Sequence, residues 1–184
     1  PEAIYAAFAK EPHTNLQDLA ETEKREISSY YGARKIGADA IAEAKLMPNK
    51  CSSNPPISDL SSKPSWMGWG NGVSNARFQP ASAAGLTADQ VPQLKLKWAF
   101  GFPGADEVYG QPTIAAGRVF VGTDTGAVYS LDAATGCVYW SFQAEAGVRT
   151  AFNIGPVKGR GSARFGVYFG DMRANVYMLD AATG

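Results

Sequence analysis

Histidine is almost missing from this chain: His13 is the only one in 184 residues. Metal sites that need two or more imidazoles are therefore excluded, and a Ser-His-Asp or Cys-His arrangement has one imidazole to draw on. Cysteine is scarce too. Cys51 and Cys137 form neither a CxxC nor a CxxCH pattern, so no thiolate zinc site or covalent haem attachment is written in these residues. Taken alone they read most simply as two unrelated free thiols; an oxidising compartment would allow them to pair. Charge imbalance is absent. A formal net charge of zero and a pI near 7.1 remove the electrostatic case for binding nucleic acid or an anionic membrane. No apolar run approaches the ~18 residues that span a bilayer. An initiator Met and a basic-then-apolar leader are also lacking at Pro1, and the last residues fall inside a repeated phrase. The expectation is a segment of a longer protein.

What is present falls into three sections. Residues 1–45 read as helical. "PEAIYAAFAK" puts Ile4, Tyr5 and Phe8 on one face, and "LAETEKREISSYYGARK" runs from acidic residues to Gly32 and basic ones, as the helix dipole favours. Residues 46–65 are dense in proline and serine, cannot continue a helix, and read as a linker poor in core-forming groups. Residues 66–184 form the third section. It starts with the aromatic cluster "WMGWGNG", where Trp66 and Trp69 read as packing groups rather than a substrate platform. From about Leu94 the pattern turns to β. "LKLKWAF" alternates, and "RVFVG", "AVYSL", "VYWSF", "GVYFG" and "NVYML" are short runs between Gly, Asp and Thr.

The β section repeats itself. "VYSLDAATG" (Val128–Gly136) returns 48 residues later as "VYMLDAATG" (Val176–Gly184). "KWAF" around Trp98 returns after 42 residues as "YWSF" around Trp140. The two intervals agree if the period is near 42 and an insertion near "VKGRGSARF" lengthens the last unit by six. Four short strands at that period are what a propeller blade shows. Within a unit, "TDTG" is a turn that Asp124 is expected to cap and in which Gly126 takes positive φ. "DAATG" is the next hairpin, where Asp132 accepts backbone N–H groups and Gly136 is left-handed. Trp140 is placed to wedge between neighbouring blades. The fold expected is mainly β: a partial β-propeller, about two four-stranded blades, with a small α-helical N-terminal segment.

The phrase "SLDAATGCVYW", with Asp, Thr-Gly and Trp at fixed offsets, resembles the tryptophan-docking repeat of pyrroloquinoline quinone (PQQ) propellers. The "WD" strand ending of tryptophan-aspartate propellers is absent. "WMGWGNGVSNARFQ" is similar to the lead-in to the propeller of PQQ-dependent alcohol dehydrogenases. With "FGFPGADEVYGQP" and "GVRTAF", residues 66–184 most resemble the polyvinyl-alcohol dehydrogenase (cytochrome) branch. Residues 1–36 resemble, more weakly, the tail of a cytochrome c domain. The family's ring has eight blades, so this chain would hold about two. The CxxCH of such a domain would lie before Pro1, and His13 is the only histidine its tail offers as an axial ligand.

The resemblance implies a periplasmic quinoprotein that oxidises an alcohol, with polyvinyl alcohol as a candidate, and passes electrons to cytochrome c. Its cofactors would be PQQ and calcium, with haem c in the missing upstream part. PQQ carries three carboxylates, so its site needs cationic and hydroxyl groups, and calcium needs oxygen ligands. Arg149 and Thr150, at the passage from one unit to the next, are the candidate cofactor contacts; the alternative is a solvated Arg and a Thr paired within the fold. Gln111, in the corresponding passage one unit earlier, is a third. Asp171 is the metal candidate, against a turn-capping role. The catalytic base is assigned to no residue here and is expected in blades outside this chain. The rival reading is a non-catalytic propeller of the same repeat family that binds proteins, such as an outer-membrane assembly scaffold.

Overall fold

The computed structural model describes residues 46–158 and 164–184, all within one compact unit, Ala40–Gly184. The helices expected over 1–45 and His13 fall outside the described residues. A four-residue helix α1 (Ala81–Ala84) and a 3-10 helix (Ala88–Gln93) precede seven strands. These are β1 (Thr113–Ala115), β2 (Arg118–Gly122), β3 (Ala127–Asp132), β4 (Val138–Gln143), β5 (Asn153–Pro156), β6 (Phe165–Gly170) and β7 (Val176–Asp180). They form two antiparallel meanders, β1-β2-β3-β4 and β5-β6-β7. The chain is mainly β, as expected, with four strands in the first sheet and three in the second among the described residues.

Repetition in sequence is repetition in register. Val119 pairs with Leu131 and Gly122 with Val128; 48 residues on, Val167 pairs with Leu179 and Gly170 with Val176. The inserted residues also lie where expected. The β5–β6 connection, 157–164, is six residues longer than the two-residue β1–β2 connection.

An up-and-down meander sorts its connections onto two ends. One, the turn end, carries the β1–β2 and β3–β4 connections with both "LDAATG" turns. The other, the crossing end, carries the β2–β3 and β6–β7 turns and the passages into each sheet. The apolar core lies between the sheets, where Phe120, Val128, Trp140, Val148, Phe152, Val167 and Phe169 are buried together. A second cluster covers the other face of the first sheet, built on Val121, Tyr129, Leu131 and Val138 with Trp98, Phe100 and Phe102 against it. β3 is thus buried on both faces, whereas in β7 Val176 is 85% and Met178 48% exposed.

At the turn end each aspartate builds its own hairpin. Asp132 Oδ1 accepts the N–H groups of Ala134 (2.9 Å) and Thr135 (2.8 Å); Asp180 Oδ1 accepts those of Ala182 (2.7 Å) and Thr183 (3.0 Å). Gly136, at φ 75°, closes the first turn. An indole then lies on each turn. Trp98 Nε1 donates to Ala133 O and Trp140 Nε1 to Ala181 O, both at 3.2 Å. A Cβ at Gly136 would meet the Trp98 ring at 2.8 Å, so glycine here serves the ring as well as the turn. The wedge expected of Trp140 is the one observed.

Three expectations change. Asp124 does not cap its turn; Thr123 does, because its Oγ1 accepts the N–H of Ala127 at 3.1 Å. Lys95–Phe100 form no assigned strand, and the first strand starts at Thr113. An alternating run needs a partner to become a ladder, and this one has none among the described residues. Finally, the two cysteines are not free: Cys51 and Cys137, 86 residues apart, are joined in a disulfide.

That bond shows how the proline- and serine-rich segment behaves. Residues 49–57 lie on the molecule as a strap. Val138 N–H donates to Asn49 O (2.9 Å) and Cys51 N–H to Val138 O (3.0 Å), covering the outer edge of β4. Further on, Asn54 Nδ2 donates to Ala182 O (2.8 Å), and Ile57 enters the core between the sheets. The buried Arg118 guanidinium donates to Asn54 Oδ1 (2.7 Å), Pro55 O (2.6 Å) and Ala182 O (3.3 Å), linking strap and second sheet. One isoleucine is little apolar area; hydrogen bonds and a covalent link anchor the strap instead.

Candidate functional site

At the crossing end two passages meet. The first, Asp106–Pro112, runs into β1; the second, Ala144–Phe152, runs from β4 into β5. They touch at Gly110, which is buried: a Cβ there would lie 3.1 Å from Thr150 O and 3.6 Å from Arg149 C. The tight contact requires glycine between the two stretches that carry Gln111, Arg149 and Thr150.

Arg149 is exposed, and its Cζ lies 4.2 Å above the centre of the Tyr109 ring. Such stacking holds a guanidinium in place while its N–H groups stay open to a ligand. Tyr109 is itself held, its hydroxyl donating to Glu107 Oε2. That hydrogen bond is the main cause raising the Tyr109 pKa; desolvation and the Glu107 charge add to it, and Arg149 opposes it. Tyr109 and Glu107 were not among the sequence candidates. The signal lay in "DEVYGQP": a carboxylate two residues from a tyrosine, beside the passage already picked out.

Thr150 behaves differently from a free donor. Its Oγ1 donates to Gly170 O (3.1 Å) and accepts the N–H of Gly170 (3.2 Å), tying the second passage to the end of β6. What remains is one acceptor lone pair, which suits an anion poorly. Gln111 is half-buried, one residue beyond the Gly110 contact.

Asp171 follows Gly170 and closes the β6–β7 turn. Its carboxylate accepts N–H groups from Arg173 (2.9 Å) and Asn175 (3.0 Å), the Asn175 Nδ2 (2.9 Å) and the Tyr177 hydroxyl (2.7 Å). Desolvation works to raise its pKa, but the hydrogen bonds from Asn175, Tyr177 and Arg173 outweigh it and hold the group at about 2. This is the turn-capping role. A metal ion would have to displace those donors. Among the described residues no three His, Cys, Asp or Glu side chains gather as a metal site would need.

The geometry therefore brings Arg149 and Thr150 against the stretch that carries Gln111, adds Tyr109 and Glu107, and gives Asp171 to the fold. An exposed, buttressed guanidinium at the end where the passages converge can take a carboxylate in bidentate fashion.

Comparison with known proteins bears on which anion that is. The family described as "Outer membrane protein assembly factor BamB" matches residues 69–184. A polyvinylalcohol dehydrogenase from Pseudomonas sp. is 41% identical over 195 residues, covering 100% of this chain and 30% of the relative. A polyvinylalcohol dehydrogenase from Sphingopyxis sp. (strain 113P3) is 38% identical over 82% of this chain and 22% of its own length. The quinoprotein alcohol dehydrogenase PedH of Pseudomonas putida is 32% identical over 62% of this chain. The chain thus spans less than a third of the length of these relatives.

Proposed function

Because the chain belongs to the quinoprotein propeller family that these matches define, we propose that it is a part of a quinoprotein alcohol dehydrogenase. Two relatives carry polyvinyl alcohol in their names, which makes a secondary alcohol of that polymer the candidate substrate. The observation that carries the reading is Arg149: exposed, held over Tyr109, and placed where the two passages meet. PQQ, when bound, would supply a two-electron acceptor for the alcohol. Its carboxylates fit this chain's donor set. Arg149 would hold one of them bidentately, with the Gln111 amide as a neighbouring donor and the Thr150–Gly170 hydrogen bonds fixing the backbone that carries the guanidinium.

Calcium and a cytochrome c acceptor complete the reading at the level of the longer protein. Asp171 does not fit a calcium ligand, and no step is routed through it. The disulfide supports an oxidising compartment, in keeping with a periplasmic site of action. Among the described residues no helix is long and apolar enough to cross a membrane.

The experiment is a PQQ titration of the longer parent protein, followed by quenching of its tryptophan fluorescence and by alcohol-dependent dye reduction. Arg149→Ala is expected to lose both signals while keeping the far-ultraviolet spectrum. Binding and turnover at parental levels in that variant would refute the role of Arg149. The matched family description also favours a second reading, a protein-binding scaffold of outer-membrane assembly. A parent that binds no PQQ at any calcium concentration would support it. The 184-residue chain alone is expected to reduce no dye, since two sheets do not enclose a cofactor.

A further inference from the structure

Trp98 and Trp140 occupy the same place in successive units. Each donates its indole N–H at 3.2 Å to the alanine carbonyl of an "LDAATG" turn, and each covers that turn's glycine. Trp140 does so from β4, the outer strand of a sheet, and the turn it covers belongs to the next sheet. An indole docked in this way thus marks the fourth strand of the preceding blade. Trp98 is docked, yet its own stretch, Leu94–Phe100, has no ladder partner among the described residues. Leu96 is 85% exposed, while its counterpart Val138 is 1% exposed.

The second sheet has the opposite deficit. β7 corresponds to β3 but pairs only with β6 among the described residues. Val176 and Met178 stand exposed where Val128 and Ser130 are fully buried. The polar pattern agrees. Asp132 uses Oδ1 for its turn and accepts the Tyr139 hydroxyl on Oδ2 at 2.7 Å. Asp180 uses Oδ1 in the same way, and the fourth strand that would serve its Oδ2 is missing. Aligning Trp98 with Trp140 puts Lys97 at the position of Tyr139, which would bring an ammonium to that carboxylate.

We propose that Leu94–Phe100 is a donor strand and that it completes the second sheet of another copy of this chain, pairing antiparallel with the free edge of β7. The first sheet of the donor then packs on the second sheet of the acceptor, as the two sheets pack within one chain. Trp98 stays on Gly136 of its own copy. The contact is head-to-tail, so it repeats and builds rings or open chains rather than stopping at a symmetric dimer. Exposed sheet edges pair in this way unless charge or cover prevents it; the strap covers the edge of β4, and nothing described covers that of β7.

The test is sedimentation equilibrium of the 184-residue chain with its disulfide intact. The chain is expected to associate with rising concentration into species beyond the dimer. Leu96→Asp disables the donor and Val176→Lys the acceptor. Both positions are exposed in the single copy, so each variant is expected to keep the parental melting temperature and to sediment as a monomer. Mixed one to one, they are expected to form a dimer and nothing larger, because Leu96→Asp keeps its acceptor edge and Val176→Lys keeps its donor strand. Lys97→Glu is expected to weaken association most at low salt. Any of four results overturns the proposal: a parental chain that stays monomeric, single variants that still associate, a mixture that stays monomeric, or a Leu96→Asp monomer that melts far below the parent. The last would place the strand on its own chain's β7.

Discussion

The two ends of these sheets are made from the same strands and treat sequence in opposite ways. At the turn end the chain writes "LDAATG" twice and builds it twice, with matching carboxylate-to-N–H bonds and matching 3.2 Å indole bonds. At the crossing end the same positions diverge. Thr123 caps one turn and Asp171 the other; Gly126 fills the left-handed position in one and Ala174, at φ 62°, in the other. The passages there hold Tyr109, Glu107 and Arg149, which have no copy in the other unit. A feature that recurs in every unit answers a need that every unit has, namely to stay docked to its neighbour. A feature that occurs once is free to serve a ligand.

That contrast can be broken at the turn end first. Trp140→Ala removes an indole packed on Phe120 and bonded to Ala181, and should cost about 3–5 kcal/mol in urea unfolding. A loss near that of a surface substitution would mean that the docking contributes little. Removing the disulfide with Cys51→Ser and Cys137→Ser frees the strap and reopens a link across 86 residues; a loss of about 2–5 kcal/mol is expected by calorimetry. At the crossing end the effects should be smaller. Ala174→Gly relieves a left-handed alanine and should raise stability by about 1 kcal/mol, measured by the same unfolding curves. The smallest effect belongs to Asp171, whose carboxylate is open to solvent. Its folded pKa, about 2, lies below the ordinary 3.8, so its contribution is complete above about pH 4 and disappears as pH falls towards 2. Asp171→Asn should therefore be less stable at neutral pH and show a shallower acid limb between pH 4 and 2. An unchanged acid limb would remove Asp171 from the turn's stability.

The turn end was legible in the sequence because its physics is local. Asp132, Gly136 and the ring four residues later act within one hairpin or on the next copy of it, and a repeat prints such interactions at fixed offsets. Asp124 misled for the same reason: Thr123, beside it, offers a hydroxyl closer to the turn's own N–H groups. The disulfide and the strap were not legible. Cys51 meets Cys137 only because the meander brings β4 to the outer edge, where residues 49–51 pass. Arg149 could be chosen from its place in a passage, but its partner Tyr109 lies forty residues earlier, and only the fold brings them together. Asp171 shows the limit of reading chemistry from residue type, because a carboxylate that caps a turn and one that binds a metal are the same letter.

The most direct measurement is hydrogen exchange at the indole N–H groups, resolved by nuclear magnetic resonance in the intact chain. Trp98 and Trp140 should exchange slowly and by similar amounts, since each is bonded to its turn carbonyl, while the half-exposed Trp69 exchanges fast. Exchange of Trp98 and Trp140 as fast as that of Trp69 would contradict the docking on which the stacked sheets depend.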